Sequence, residues 1–116
     1  MIVVTAGRKY IDIDAYASMI AYRELLRATT DKKALAISTS KMNKTVPPML
    51  RSLKYTLDKP VDTEKAKFVL LDVSNPDFFD IFVDPNRIIE VVDHHPGYEE
   101  YWRQNKAVKS QIEVIG

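Results

Sequence analysis

Four short runs of aliphatic residues, set between longer stretches of mixed polarity, constrain this chain more than anything else in it. Ile2 to Thr5, Ala34 to Thr39, Phe68 to Asp72 and Ile88 to Val92 each read as strands, and a weaker fifth is expected from Ser110 to Ile115. Their apolar character is nearly continuous rather than alternating, so both faces must be covered, which is the mark of a parallel sheet held between other layers. Between the first two runs, Ala15 to Ala28 carries apolar residues at 15, 19, 22 and 26, one stripe of a helix, with Asp14 as its expected N-cap. Pro47-Pro48 and Asn75-Pro76 supply further helix starts, the second before Asp77 to Phe82, and Tyr98 to Gln104 with Trp102 forms another helical segment. Asp58 to Lys67 is polar and reads as a surface connection. Strands alternating with helices predict an α/β, three-layer domain: a mainly parallel sheet of about five strands, right-handed crossovers and helices on both faces.

Composition narrows the function classes. A chain of 116 residues accommodates one domain, residues 1–116, and 46% hydrophobic with 28% charged content is that of an ordered globular protein. Cysteine is absent, which excludes disulfides, zinc-thiolate sites and thiol nucleophiles. No apolar stretch approaches the ~20 residues that span a bilayer. The chain enters Ile2-Val3-Val4 without a basic flank, so no signal peptide and no membrane partner are expected, and the expected location is cytoplasmic. Seventeen basic residues against sixteen acidic ones leave a charge of +1, which names no partner.

The polar residues that matter sit behind the strands. In open α/β sheets ligands bind beyond the carboxyl ends of the strands, where strand order reverses. Asp12-Ile13-Asp14 follows the first run, Asp72 ends the third, and Asp93-His94-His95 ends the fourth, so both histidines of the chain fall on one predicted rim with four carboxylates. Crowded carboxylates disfavour their own ionisation unless a cation neutralises them. Carboxylate with imidazole suits a divalent ion of the manganese type, and a carboxylate shared by two ions is the usual arrangement for phosphate-ester hydrolysis. Each residue has a plainer role open to it: Asp14 a helix cap, Asp72 an Asx turn, the histidine pair a loop before Pro96, Ser18 a small buried residue. Independent caps and turns, however, have no reason to gather every histidine and these acids behind three strands.

Asp12-Ile13-Asp14-Ala15-Tyr16-Ala17-Ser18, Leu70-Leu71-Asp72 and Val92-Asp93-His94-His95-Pro96 resemble motifs I, II and III of the DHH phosphoesterase superfamily, in order and over nearly the whole chain. Ile20 to Leu26 is similar to manganese-dependent inorganic pyrophosphatases, whereas Asp72 to Pro76 and His95 to Glu99 look more like exopolyphosphatase-related members. The resemblance implies Asp12 as ligand of a first metal, Asp14 of a second, Asp72 bridging both, and His94 completing the second. It implies His95 facing the phosphate as a catalytic and substrate-binding donor, and Asp93 orienting the histidines. The cofactor implied is Mn2+, with Mg2+ as the alternative, and the reaction is hydrolysis of phosphoanhydrides such as polyphosphate or pyrophosphate by a metal-activated hydroxide.

Two departures accompany the resemblance. The family places a histidine four residues before the first aspartate of motif I, and this chain has Arg8 there. Arginine cannot deprotonate to ligate a metal, but its fixed charge can stand where an ion would, or grip a phosphate. The family's fourth motif and C-terminal substrate domain also have no counterpart before Gly116, so a fragment of a longer enzyme, or a stand-alone domain of reduced or lost activity, is expected. Three functions follow: a phosphoanhydride hydrolase, a phosphoesterase of short oligonucleotides or nucleotides, and a non-catalytic binding or assembly module retaining the fold. A small phosphorylated substrate is the expected partner, nucleic acid enters only as a short oligonucleotide, and a homo-oligomer is compatible with the sequence. Lys41, Lys44 and Arg51, with Asn43 among them, read as a solvated basic group or as a phosphate-receiving one; Tyr98 and Trp102 read as packing residues.

Overall fold

The computed structural model of the chain describes residues 1–8, 10–42, 45–47 and 56–113. The helix expected from Pro47-Pro48, the end of the weak fifth strand, and Asn43, Lys44 and Arg51 of the basic group lie outside those residues.

The described elements are β1 (Ile2–Thr5), β2 (Tyr10–Ile11), α1 (Ile13–Thr29), β3 (Ala34–Ala36), β4 (Lys41–Met42), β5 (Lys67–Leu71), β6 (Ile88–Asp93), α2 (Glu99–Arg103) and β7 (Lys109–Ile112), with 3-10 turns at Pro76–Phe78 and Pro85–Arg87. Five strands form one all-parallel sheet in the order β3-β1-β5-β6-β7, and β2 pairs with β4 in a separate two-stranded parallel sheet. The expected α/β fold and parallel sheet are therefore present. From β1 the chain builds outward to β3, then returns to the other side of β1 with β5, so strand order reverses between β1 and β5.

Alternating side chains of the buried strands divide the core in two. Val4, Val69 and Leu71 pack with Ala15, Tyr16 and Met19 of α1 on one face. Val3, Phe68, Leu70 and Val91 pack with Phe79, Val83 and Trp102 on the other. The second face departs from the expected helical layer. Among the described residues it is covered by the β5–β6 connection and the five-residue α2. Asn75 and Asp84 each cap a 3-10 turn that begins at a proline, and each turn stops after three residues, so this connection never accumulates the length a packed helix needs.

Other boundaries move for local reasons. The N-cap of α1 is Asp12 rather than Asp14: its Oδ1 accepts from Ala15 N at 2.9 Å, so the helix begins at Ile13. Asp14 lies in the first turn, exposed, where a negative charge complements the helix dipole. β3 stops at Ala36 instead of reaching Thr39; Ile37 N still donates to Val4 O at 3.0 Å, and aspartate side chains hold other backbone donors of this segment. Asp58 accepts from Ala36 N at 2.9 Å, and buried Asp80 from Thr39 N at 3.0 Å. Among the described residues no helix is long and apolar enough to cross a membrane.

Candidate metal centre at the carboxyl rim

Asp72 is the first residue beyond β5 and the only described non-glycine residue with positive φ, at 61°. Aspartate tolerates this left-handed conformation better than most residues, and the turn is pinned by Asp72 N donating to Val92 O at 2.8 Å. Being at the reversal of strand order, Asp72 lines three adjoining clefts. The first, about 280 Å³, also contains Ser18, Asp93, His94 and Glu113; the second, about 310 Å³, contains Arg8, Tyr10, Asp12, Phe78 and His95; the third contains Ser74, Asn75, His95 and Tyr98.

Asp93 closes β6 with its side chain fully enclosed. Its Oδ2 accepts from Ser74 Oγ at 2.6 Å, and its Oδ1 accepts from His94 N at 2.8 Å and faces His95 Nδ1 at 2.6 Å. Against a carboxylate, Nδ1 is the donor, which leaves Nε2 as the His95 nitrogen that Asp93 does not engage. Ser74 is itself held: its carbonyl accepts from Trp102 Nε1 at 2.7 Å, and Trp102 stacks with Phe79 at 6.0 Å between ring centroids. A buried chain of contacts thus runs from α2 through Ser74 and Asp93 to His95. His94 is placed from the other side, with Nε2 2.7 Å from Asp72 Oδ1. The two imidazole rings lie 4.3 Å apart.

Asp72, Asp93, His94 and His95 each offer a ligand atom, and these atoms all lie within 4.8 Å of one another. Two carboxylates with two imidazoles suit a divalent first-row ion. Burial holds the Asp72 carboxyl above its ordinary pKa; the hydrogen bond from His94 opposes this, and the nearby charge of Asp12 adds to it. A carboxylate whose ionisation is disfavoured by burial and by another carboxylate gains from a cation placed against it.

The structure brings the residues singled out from the sequence together unevenly. Asp72, Asp93, His94 and His95 form the cluster. Asp12 and Arg8 share the second cleft with Asp72 and His95, while Asp12 also caps α1. Asp14 is exposed on α1 and belongs to neither the cluster nor these clefts. Ser18, expected as a small buried residue on its plainer reading, is exposed at the first cleft. Sequence reasoning missed Ser74 as the donor that fixes Asp93, and Trp102 as the donor behind it. Ser74 stands two residues after Asp72, but nothing in a linear pattern tells a loop serine from one that meets the end of another strand. The chain matches no protein-family model and no curated protein.

Proposed function

We propose that this chain is a metal-dependent phosphoesterase domain of the DHH type, acting in the cytoplasm on phosphoanhydrides such as pyrophosphate or polyphosphate, with manganese as its ion and magnesium as the alternative. The observation that carries the reading is the approach of His94 Nε2 to Asp72 Oδ1, 2.7 Å apart at the ends of adjacent strands, with His95 held beside them by buried Asp93. A divalent ion supplies Lewis acidity toward phosphoryl oxygens and lowers the pKa of water. The chain's own groups do the rest. Asp72 and His94 offer the ion a carboxylate and an imidazole, His95 presents Nε2 to the phosphate, and Asp93 fixes that ring's tautomer and direction, as acceptors behind ligating histidines commonly do. Arg8, exposed at the second cleft, offers a planar donor fork to phosphate oxygens.

A nucleotide substrate is the second reading, and one observation favours it: Tyr10 and Phe78, 59% and 44% exposed, line the cleft that holds Arg8. Inorganic phosphate needs no such rings, whereas a base can stack on them. The test is phosphate release from pyrophosphate and short polyphosphate with manganese, in competition with a dinucleotide. Manganese-dependent release, lost in Asp72→Asn and His94→Ala, is expected. Equal release by the variants refutes the site, and inhibition by the dinucleotide alone selects the second reading.

A further inference from the structure

We propose that buried Asp80 is a positioning residue for the second cleft: through Thr39 it fixes the wall made by Arg8, Tyr10 and Phe78, and so sets how tightly the site holds a diphosphate. The role in binding rests on the phosphoesterase reading above; the fixing of the wall does not. Asp80 is 2% exposed in the β5–β6 connection, and both its oxygens are met by Thr39. Thr39 N donates to Oδ2 at 3.0 Å, and Thr39 Oγ1 donates to Oδ1 at 2.8 Å. Burying a carboxylate is costly unless hydrogen bonds answer it. Here they come from an exposed residue of the loop that leaves β3, so the contact tethers a surface loop to the connection.

From Thr39, hydrogen bonds close a ring. Ser38 Oγ accepts from Ser40 N at 3.0 Å, which tightens the loop, and Ser40 Oγ donates to Gly7 O at 2.9 Å on the segment that leaves β1. Gly7 pairs antiparallel with Phe79, and Arg8 N donates to Phe78 O at 2.8 Å, which returns to the residues just before Asp80. All three wall residues are tied to this ring. Arg8 and Phe78 belong to it, and Tyr10 sits on β2, whose partner strand β4 begins at Lys41, directly after Ser40. The hydrogen bonds that hold the metal cluster, from Trp102 through Ser74 to Asp93 and from Asp72 N to Val92 O, share no residue with the ring. The rim therefore has two separate supports, one for the ion's ligands and one for the cleft beside them. Opening the second should leave the first intact.

The experiment compares the wild type with Asp80→Ala, Thr39→Val and Thr39→Ser. Amide hydrogen exchange is measured first, then calorimetry with Mn2+, and on the loaded protein with methylenediphosphonate, a diphosphate that cannot be hydrolysed. Thr39→Val acts at an exposed residue, so the result does not depend on Asp80→Ala folding. In Asp80→Ala and Thr39→Val the Arg8 amide, which bonds Phe78 and not Asp80, should exchange about tenfold faster, the scale of one lost hydrogen bond. The amides of Asp72 and His94 should keep their wild-type rates, and Mn2+ affinity should stay within about twofold, as for independent sites. Affinity for methylenediphosphonate should fall about tenfold as the wall loses its fixed geometry. Thr39→Ser, which keeps both donors, should match the wild type. Mn2+ binding lost in step with the diphosphonate, or faster exchange at every amide, marks a general loss of structure and overturns the positioning role. Wild-type binding of the diphosphonate by both Asp80→Ala and Thr39→Val overturns the inference and leaves the phosphoesterase reading intact. No binding of it by the wild type overturns that reading, and the binding role of Asp80 with it.

Discussion

Replacing Ser74 by alanine removes a single hydroxyl, and the structure says what that hydroxyl holds. Ser74 is 3% exposed and donates to Asp93 Oδ2 at 2.6 Å; the Asp93 side chain has no exposure of its own. Water therefore cannot replace the lost donor without entering the core. A hydrogen bond to a charged group contributes about 1.5–3 kcal/mol, and the carboxylate oxygen left behind stays buried. For a domain of this size each kcal/mol moves the melting temperature by roughly 3–6 °C, so Ser74→Ala should melt about 5–15 °C below the wild type. A second consequence separates a positioning role from a purely structural one. With Oδ2 released, the carboxylate can rotate, and the grip of Oδ1 on His94 N and His95 Nδ1 loosens. Removing such a partner behind metal-binding imidazoles typically weakens affinity about 10–100-fold. Thermal melts in chelator, followed by Mn2+ titration well below the variant's melting temperature, read the two effects separately. A variant that melts within a degree or so of the wild type and binds Mn2+ equally well would refute the claim that Ser74 fixes Asp93.

Further perturbations test the neighbouring contacts. Trp102→Phe keeps most of the buried ring but deprives the Ser74 carbonyl of its donor, and should cost about 1–3 kcal/mol in urea unfolding. Arg23, 3% exposed, binds the Thr56 carbonyl and Asp58; Arg23→Met should destabilise the fold by about 3 kcal/mol, the low end for a broken buried pair, because Asp58 is partly open and still accepts from Ala36 N. Asp72 binds its proton more tightly in the folded chain than in the unfolded one. Its stabilising contribution is therefore complete below the ordinary value of 3.8 and is lost as pH rises through the higher folded pKa, with burial the main cause. Melts of the metal-free protein across that range should show this decline, Asp72→Asn should flatten it, and an identical pH profile in the variant would contradict the shift. Saturating Mn2+ at 100 times its dissociation constant should raise wild-type stability by about 2.7 kcal/mol and leave Asp72→Asn unmoved.

The sequence by itself determined the layout. Continuous apolar runs at Ile2, Ala34, Phe68 and Ile88 can be buried on both faces only in a parallel sheet, and the stripe of α1 supplies one of its covers. Those patterns are local, so they survive reading in one dimension, and the rule that ligands gather behind parallel strands pointed to the rim before any coordinate did. What the sequence could not decide is competition for the same atom. Asp12 and Asp14 are equivalent as caps in a linear pattern. The backbone decides for Asp12, because Ala15 N lies within its reach. The helical layer expected on the second face gave way to turns started at Pro76 and Pro85, with Phe79, Val83 and Trp102 filling the core in its place. The grouping of Asp72, Asp93, His94 and His95, and the separation of Asp14 from them, depend on the positive φ of Asp72 and on a serine and a tryptophan reaching across from other segments. Such contacts join residues far apart in the chain and leave no periodic trace, so only the tertiary structure could assign them.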